Sequence, residues 1–190
     1  MEFLKSGRIS SRVAVIQMLV AFVLAVCPAN QAAAQGKKIS EEQLSELHAA
    51  LVLKIAMFVQ WPEEAPELSN DKIALAVSGD DRVFKAFKKL EKKKIKYQAI
   101  RLNHTALPSD FSSSRIVFLS CDQPFEIAPW PGVLTIGDSS DFNARGGMIR
   151  LSIENGRPRF SINLESADAA GIEFSSKLLK IASIYRGDIQ

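Results

Sequence analysis

Residues 72–90 of the chain read KIALAVSGDDRVFKAFKKL, an apolar run joined to an amphipathic one by a short polar turn. The run over residues 72–77 has the length and the continuous apolar character of a buried strand. Asp80 in the turn can accept hydrogen bonds from the first free amides of a helix that follows. The inner face of that helix is predicted from apolar residues at helical spacing: Val83, Phe84, Phe87 and Leu90. A strand that leads directly into a helix is typical of α/β proteins.

The rest of the chain continues this alternation of strands with helices and loops. Short apolar runs bounded by turn residues predict three further strands, at residues 97–102, 115–120 and 133–136. Two more runs, at residues 148–153 and 159–164, flank Asn155-Gly156, and this dipeptide is a strong signal for a β-hairpin. We therefore predict a single α/β domain of three layers, with a mostly parallel sheet, an antiparallel edge hairpin and flanking helices.

Further helices are predicted before the first and after the last of these strands in the chain. Ser40 and Gln43 have the spacing of a capping box, and apolar residues then recur at three- and four-residue intervals as far as Val59. Pro62 is expected to end this helix because its ring cannot continue the hydrogen-bond ladder. A short helix is predicted at residues 165–170 and a last amphipathic helix at residues 175–184.

The amino-terminal residues have the layout of a secretory signal. Three basic residues within the first twelve precede an apolar run over residues 13–26, and the small residues Ala32-Ala33-Ala34 follow. The apolar run is shorter than the roughly 20 residues that a permanent membrane span needs. We therefore predict a cleaved signal peptide at residues 1–34 and a periplasmic domain at residues 35–190. The alternative is a lipid anchor at Cys27.

Charge and cysteine content limit the classes of function. Of the 24 basic and 21 acidic residues, the predicted leader takes only a few, so the charges of the mature chain nearly balance. This balance argues against a nucleic-acid partner. Seven lysines lie between Lys85 and Lys96 and form either a solvated surface or a patch for a membrane surface or an acidic partner. Cys121 is the one cysteine of the mature chain, so it is either buried and inert or paired between two subunits of a homodimer.

The sequence offers no recognisable catalytic constellation, metal site or cofactor site. His48 and His104 are the only histidines, and they lack the spacing and companion ligands of a zinc site. We interpret His48 as a helix-face residue with a satisfied hydrogen bond. No G-x-S-x-G elbow is present, and Gly79 lacks the further glycines of a dinucleotide site. We predict no catalytic residues, no metal and no cofactor, so the chain is not expected to be an enzyme.

Several strings in the chain resemble the YfiR-like family. They include LKIAMFVQWP at residues 53–62, the segment Val77-Ser78-Gly79-Asp80-Asp81 and the triplet Ile136-Gly137-Asp138. The likeness continues through Phe142, RGGMI at residues 145–149, FSINL at residues 160–164 and SSKLL at residues 175–179, in the family's order. Two departures are Leu53, in place of an aromatic residue, and Ser161, in place of Glu.

The resemblance implies a periplasmic α/β module that regulates signalling. The best-known type binds the periplasmic sensor part of an inner-membrane diguanylate cyclase and represses it, which lowers cyclic di-GMP and biofilm formation. Other members accompany sensor kinases or outer-membrane receptors. The best-known type also uses internal disulfides, which a mature chain with one cysteine cannot form.

Two sets of candidate binding residues follow. For a protein partner, we predict contacts through large apolar side chains, since buried aromatic anchors carry much of the energy of an interface: Phe58, Trp61, Phe142, Phe160 and Ile162. The alternative function is sensing of a small ligand, in a crevice at the carboxyl ends of the strands. The candidates for that site are Gly79, Gly137, Asp138 and Arg145.

Overall fold

The computed structural model of the chain describes residues 39–63, 72–95, 98–104, 108–120 and 127–187. In this part of the chain the α-helices are α1 (Glu41–Ala56), α2 (Asp81–Lys88), α3 (Leu164–Ala169) and α4 (Ser176–Leu179). The strands are β1 (Val59–Gln60), β2 (Lys72–Ser78), β3 (Lys94–Ile95), β4 (Gln98–His104), β5 (Ile116–Leu119), β6 (Leu134–Gly137), β7 (Ile149–Glu154), β8 (Arg157–Asn163), β9 (Glu173–Phe174) and β10 (Ser183–Tyr185). Short 3₁₀ helices occupy Lys89–Lys92 and Pro108–Ser113.

Strand β2 and helix α2 are the strand and the helix that the sequence of residues 72–90 predicts. Asp80 caps α2, since its carboxylate accepts hydrogen bonds from the amides of Arg82 and Val83, both at 3.0 Å. Ser40 and Gln43 form the predicted capping box at the start of α1, with each side chain bonded to the backbone amide of the other residue. Local sequence therefore sets where both helices begin.

Eight of the strands form one sheet in the order β10-β8-β7-β6-β5-β2-β4-β3. Neighbouring strands are parallel except at the β7–β8 hairpin and between β4 and β3. The remaining strands, β1 and β9, form a separate antiparallel pair. This architecture confirms the predicted α/β class with a mostly parallel sheet.

Both faces of the sheet are covered, which gives the three layers. Successive side chains of a strand point to opposite faces, so Leu75 and Phe118 lie on one side while Ala76 and Val117 lie on the other. The first face packs against the apolar residues of α1 and α2, among them Val52, Ile55, Val83 and Phe87. The second face packs against Phe111 of the second 3₁₀ helix and against loop residues, Ile127, Val133 and Phe142.

The predicted hairpin is present, although its position in the sheet differs from the prediction. Asn155 and Gly156 both have positive φ, at 52° and 72°, as a tight two-residue turn between twisted strands requires. The hairpin was expected at the sheet edge. Instead β10 pairs in parallel with β8 and becomes the edge strand itself, with Ile184 opposite Ile162.

Two helix predictions are wrong at their carboxyl ends, for one physical reason. α1 ends at Ala56 rather than near Trp61, because Val59 pairs with Phe174 of β9. α4 ends at Leu179 rather than at residue 184, because residues 183–185 pair with β8. In both segments a partner strand from elsewhere in the chain outweighs the local helical pattern.

Candidate functional site

The sheet creates a crevice where its strand order reverses. β4 follows β2 in the chain and lies on one side of it, whereas β5 lies on the other side. In open α/β sheets, ligands bind outside the carboxyl ends of the strands at such a reversal. Here those ends carry Gly79 and Asp80 after β2, Ser120 after β5, and Asp138 after β6. Polar residues therefore collect at the place where this type of fold offers a site.

A buried histidine from α1 completes this group. Nδ1 of His48 lies 3.4 Å from Oδ2 of Asp138, and the histidine as a whole is only 4 % exposed. The hydroxyl of Ser120 donates to the same carboxylate oxygen at 3.1 Å. The imidazole also packs against the ring of Phe118 on β5, with the ring centroids 5.8 Å apart. His48 thus connects α1 to the ends of two strands.

A cavity of about 200 Å³ opens above this pair. Its walls come from α1, from the start of α2 and from the ends of β5 and β6: Glu41, Leu44, Ser45, His48, Asp80, Arg82, Val83, Ser120 and Asp138. At its rim, the guanidinium of Arg82 pairs with the carboxylate of Asp80 at 2.7 Å and with that of Glu41. We call this cavity and its lining the crevice.

The arrangement of Ser120, His48 and Asp138 is not that of a serine hydrolase. In such an enzyme the serine hydroxyl donates to the histidine, which takes its proton, and the carboxylate holds the far side of the imidazole. Here the hydroxyl of Ser120 and Nδ1 of His48 both face Oδ2 of Asp138. The three side chains therefore form a structural network that can also contact a ligand.

Sequence reasoning found part of the crevice and missed the rest. Asp138 lines it, and Gly79 lies at its edge, where an added Cβ would stand 3.1 Å from the Cβ atoms of Ser120 and Val83. His48 is a buried residue of the inner face of α1, and its position against Asp138 was not predicted. The signal in the sequence was a polar imidazole within a mostly apolar helix face.

The other two ligand candidates have different surroundings. A Cβ on Gly137 would stand 2.2 Å from the ring of Phe142, so this glycine makes room for the ring. The guanidinium Nε of Arg145 lies 3.9 Å from Asp141, one helical turn away in sequence, and Arg145 is not among the residues that line the crevice. Arg145 and Asp141 therefore form an ion pair within one segment of the chain.

The partner candidates divide into exposed and buried side chains. Phe58 follows α1 and is 38 % exposed. Trp61 and Phe160 are half-buried and pack against the core of the first sheet face. Phe142 and Ile162 are 1 % and 0 % exposed, so they offer no surface to a partner in this conformation.

Phe142 accounts for two glycines of the motif strings in this chain. Its ring lies between Gly137 and Gly147, and a Cβ on Gly147 would stand 2.1 Å from it. The next residue, Asn143, donates to the carbonyls of Gly147 and Met148 at 3.0 and 3.1 Å. Its own side-chain oxygen accepts from the hydroxyl of Ser161. These strings therefore hold β6, β7 and β8 together.

Other sequence predictions fall on the surface or outside the described residues. The described lysines of the cluster, from Lys85 to Lys94, are all exposed, and Lys89 pairs with Glu46 of α1. The predicted leader, Cys27 and Cys121 lie outside the described residues. Among the residues that the structure describes, no helix has the length and apolarity to cross a membrane, and no group of three or more His, Cys, Asp or Glu is placed to hold a metal ion.

Comparison with known proteins agrees with the resemblance seen in the motifs. Residues 45–183 match the model of a protein family described as YfiR/HmsC-like. The matched region begins in α1 and ends at the start of β10, so it includes all residues that line the crevice except Glu41 and Leu44. A search of curated proteins gives no match.

Proposed function

Because the chain belongs to the YfiR/HmsC-like family, we propose that it is a periplasmic regulatory protein that binds an inner-membrane signalling protein and represses it. Membership of this family favours the periplasmic sensor part of a diguanylate cyclase as the partner. The observation that carries this proposal is the family match over nearly the whole described chain. The chain acts by binding and not by catalysis. Its signal peptide is cleaved on export.

Phe58 is the best-placed anchor for such a partner. It is exposed together with Met57, at 38 % and 45 %, where α1 gives way to β1. The segment is held in place, because the backbone carbonyl of Phe58 accepts from the amide of Ser175 at 3.0 Å and Val59 pairs with Phe174. A large apolar side chain on a fixed backbone loses little conformational entropy on binding, which favours affinity.

Repression requires that the protein discriminate between two states of its partner. A regulator shifts an equilibrium only by the difference in its affinity for the two states. Moving a cyclase from almost fully active to almost fully inactive takes a difference of roughly 10⁴-fold. The surface around Phe58 must therefore fit the inactive sensor and not the active one.

The test compares cyclic di-GMP in cells that carry or lack the protein. Deletion is expected to raise cyclic di-GMP and biofilm formation, and expression of the wild-type chain should reverse both changes. The Phe58→Ala variant should fail to reverse them while reaching the periplasm in normal amounts. Ile181→Ala provides the matched control, because Ile181 is an apolar side chain that is 69 % exposed at a different site.

Unchanged cyclic di-GMP in the deletion strain would refute the cyclase as partner. A pull-down from the periplasm with the wild-type and Phe58→Ala proteins would then identify what the surface binds. Equal recovery of a partner by both proteins would refute the role of Phe58.

The crevice favours a second candidate function, sensing of a small periplasmic ligand on behalf of a sensor kinase or an outer-membrane receptor. The crevice lies where the strand order of the sheet reverses, and α/β proteins bind ligands at such a reversal. This function predicts ligand binding by the isolated protein, whereas pure docking does not. Direct binding measurements therefore separate the two candidates.

A further inference from the structure

We propose that the crevice binds a small organic molecule that carries a protonated amine, with its ammonium group between His48, Asp138 and the acidic rim. This inference deepens the second candidate function, since it names the chemical class of ligand. It depends on the crevice alone, and the docking surface around Phe58 takes no part in it.

The charge of the crevice favours a cation. Its lining contains three carboxylates, those of Glu41, Asp80 and Asp138, against the single guanidinium of Arg82 among the described residues. That guanidinium is already paired with both Asp80 and Glu41. A ligand carboxylate or phosphate would meet an excess of like charge here, whereas an ammonium group would meet an opposite one.

The imidazole of His48 adds a directed acceptor. Oδ2 of Asp138 lies beside Nδ1, and a proton on that nitrogen alone leaves Nε2 as an acceptor. Within the described residues, Nε2 has no hydrogen-bond partner, and the side chain, 5 % exposed, forms part of the crevice wall. A ring nitrogen that carries no proton accepts a hydrogen bond, and a molecule in the crevice can reach this one. A ligand N–H group supplies that bond.

The size and the remaining walls limit the rest of the ligand. A volume of about 200 Å³ holds a small molecule and not a peptide. The walls that carry no charge include the apolar side chains of Leu44 and Val83, which suit a short hydrocarbon body. The ligand class is therefore a small aliphatic amine, with its charged end at His48 and its chain against these two residues.

The arrangement suits an organic ammonium better than a metal ion. His48 and Asp138 are adjacent, but the described part of the chain provides no third His, Cys, Asp or Glu placed to complete a metal site. An ammonium needs only two or three acceptors in its vicinity, and each of its N–H groups can bond to one of them.

The experiment measures binding of a matched probe series to the purified protein by two-dimensional NMR. The probes are 1-butylamine and 1,4-diaminobutane. The counterparts are 1-butanol, which is a neutral isostere of 1-butylamine, butyrate as an anion and N-butylacetamide as an uncharged acylated amine, and Mg²⁺ and Zn²⁺ serve as metal cations. We expect the amines to shift the amide resonances of His48, Ser120 and Asp138. Their affinity should be at least tenfold higher than that of any counterpart.

Two variants connect this binding to the crevice. Asp138→Asn should weaken binding of the amines at least tenfold, and Asp141→Asn, which removes a carboxylate outside the crevice, should leave it unchanged. Because loss of the Asp138 charge also threatens folding, Glu41→Gln serves as the second variant: its side chain is 74 % exposed, and it should weaken binding severalfold.

Three results would overturn the proposal. They are the absence of amine-induced shifts at the crevice, equal binding of 1-butanol or butyrate, and shifts caused by the metal ions but not by the amines. None of them bears on repression of a cyclase, which the deletion strain tests. Unchanged cyclic di-GMP in that strain would likewise leave the crevice proposal standing.

Discussion

Nδ1 of His48 on α1 lies 3.4 Å from Oδ2 of Asp138 at the end of β6. This contact joins the first helix to the strand ends, and Ser120 bonds to the same oxygen. Asp138→Asn should lower the free energy of unfolding by about 1–3 kcal/mol, because it weakens the interactions of a buried imidazole and a buried hydroxyl. Urea denaturation measures the change.

The control for this prediction is Asp141→Asn. The Asp141 side chain is 51 % exposed and reaches Arg145 only at 3.9 Å, so its loss should change stability by less than about 0.5 kcal/mol. Equal losses of unfolding free energy for the two substitutions would show that the contact between Asp138 and His48 does not stabilise the fold.

Gly147→Ala should destabilise the protein by overpacking. The added Cβ would stand 2.1 Å from the ring of Phe142, which is 1 % exposed and has no room to retreat. We expect a loss of about 1–3 kcal/mol or more. In the double variant with Phe142→Leu, the loss should be smaller than the sum of the two single losses, because the smaller side chain makes room for the methyl group. Strict additivity in urea denaturation would contradict the proposed packing.

Gly156→Ala tests the turn of the hairpin without a steric contribution. Gly156 has φ +72°, and nothing lies within 4 Å of a Cβ added there. The expected cost is therefore the backbone strain alone, about 1–2 kcal/mol. Asn155→Gly at the neighbouring position, where φ is 52°, should cost less, since glycine adopts positive φ freely. Thermal unfolding of both variants checks the order, and a larger loss for Asn155→Gly would contradict it.

Lys89 should show a raised pKa that depends on α1. The hydrogen bond and the charge of Glu46 raise the pKa of this ammonium above its ordinary value of 10.5, and Glu42 adds a smaller effect. A raised pKa in the folded state means that the pair stabilises the fold below pH 10.5 and that this contribution is lost as the pH rises through the folded pKa. NMR titration of the lysine side chain should show a clear fall in this pKa for Glu46→Gln and a smaller fall for Glu42→Gln. The reverse order would place Lys89 against a different carboxylate.

Local interactions account for the elements that were predicted well. The capping box at Ser40, the cap at Asp80 and the turn at Asn155-Gly156 each join residues within one turn of chain, and all three form as expected. The apolar runs likewise predict β2, β5 and β6 and the α/β class that contains them. The motif strings also indicated the family, which the match over residues 45–183 confirms.

Pairings between distant segments account for the elements that were not predicted. The end of α1 and the end of α4 follow from strands that pair with Phe174 and with β8. The crevice is of the same kind, since His48, Ser120 and Asp138 meet only through the strand order and the packing of α1 on the sheet. The amino-acid sequence alone therefore determined the helix starts, the turn, the buried strands and the family, because neighbours in the chain set them. The tertiary structure alone decided which residues surround His48 and which aromatic side chains remain exposed, because both depend on contacts that no local pattern encodes.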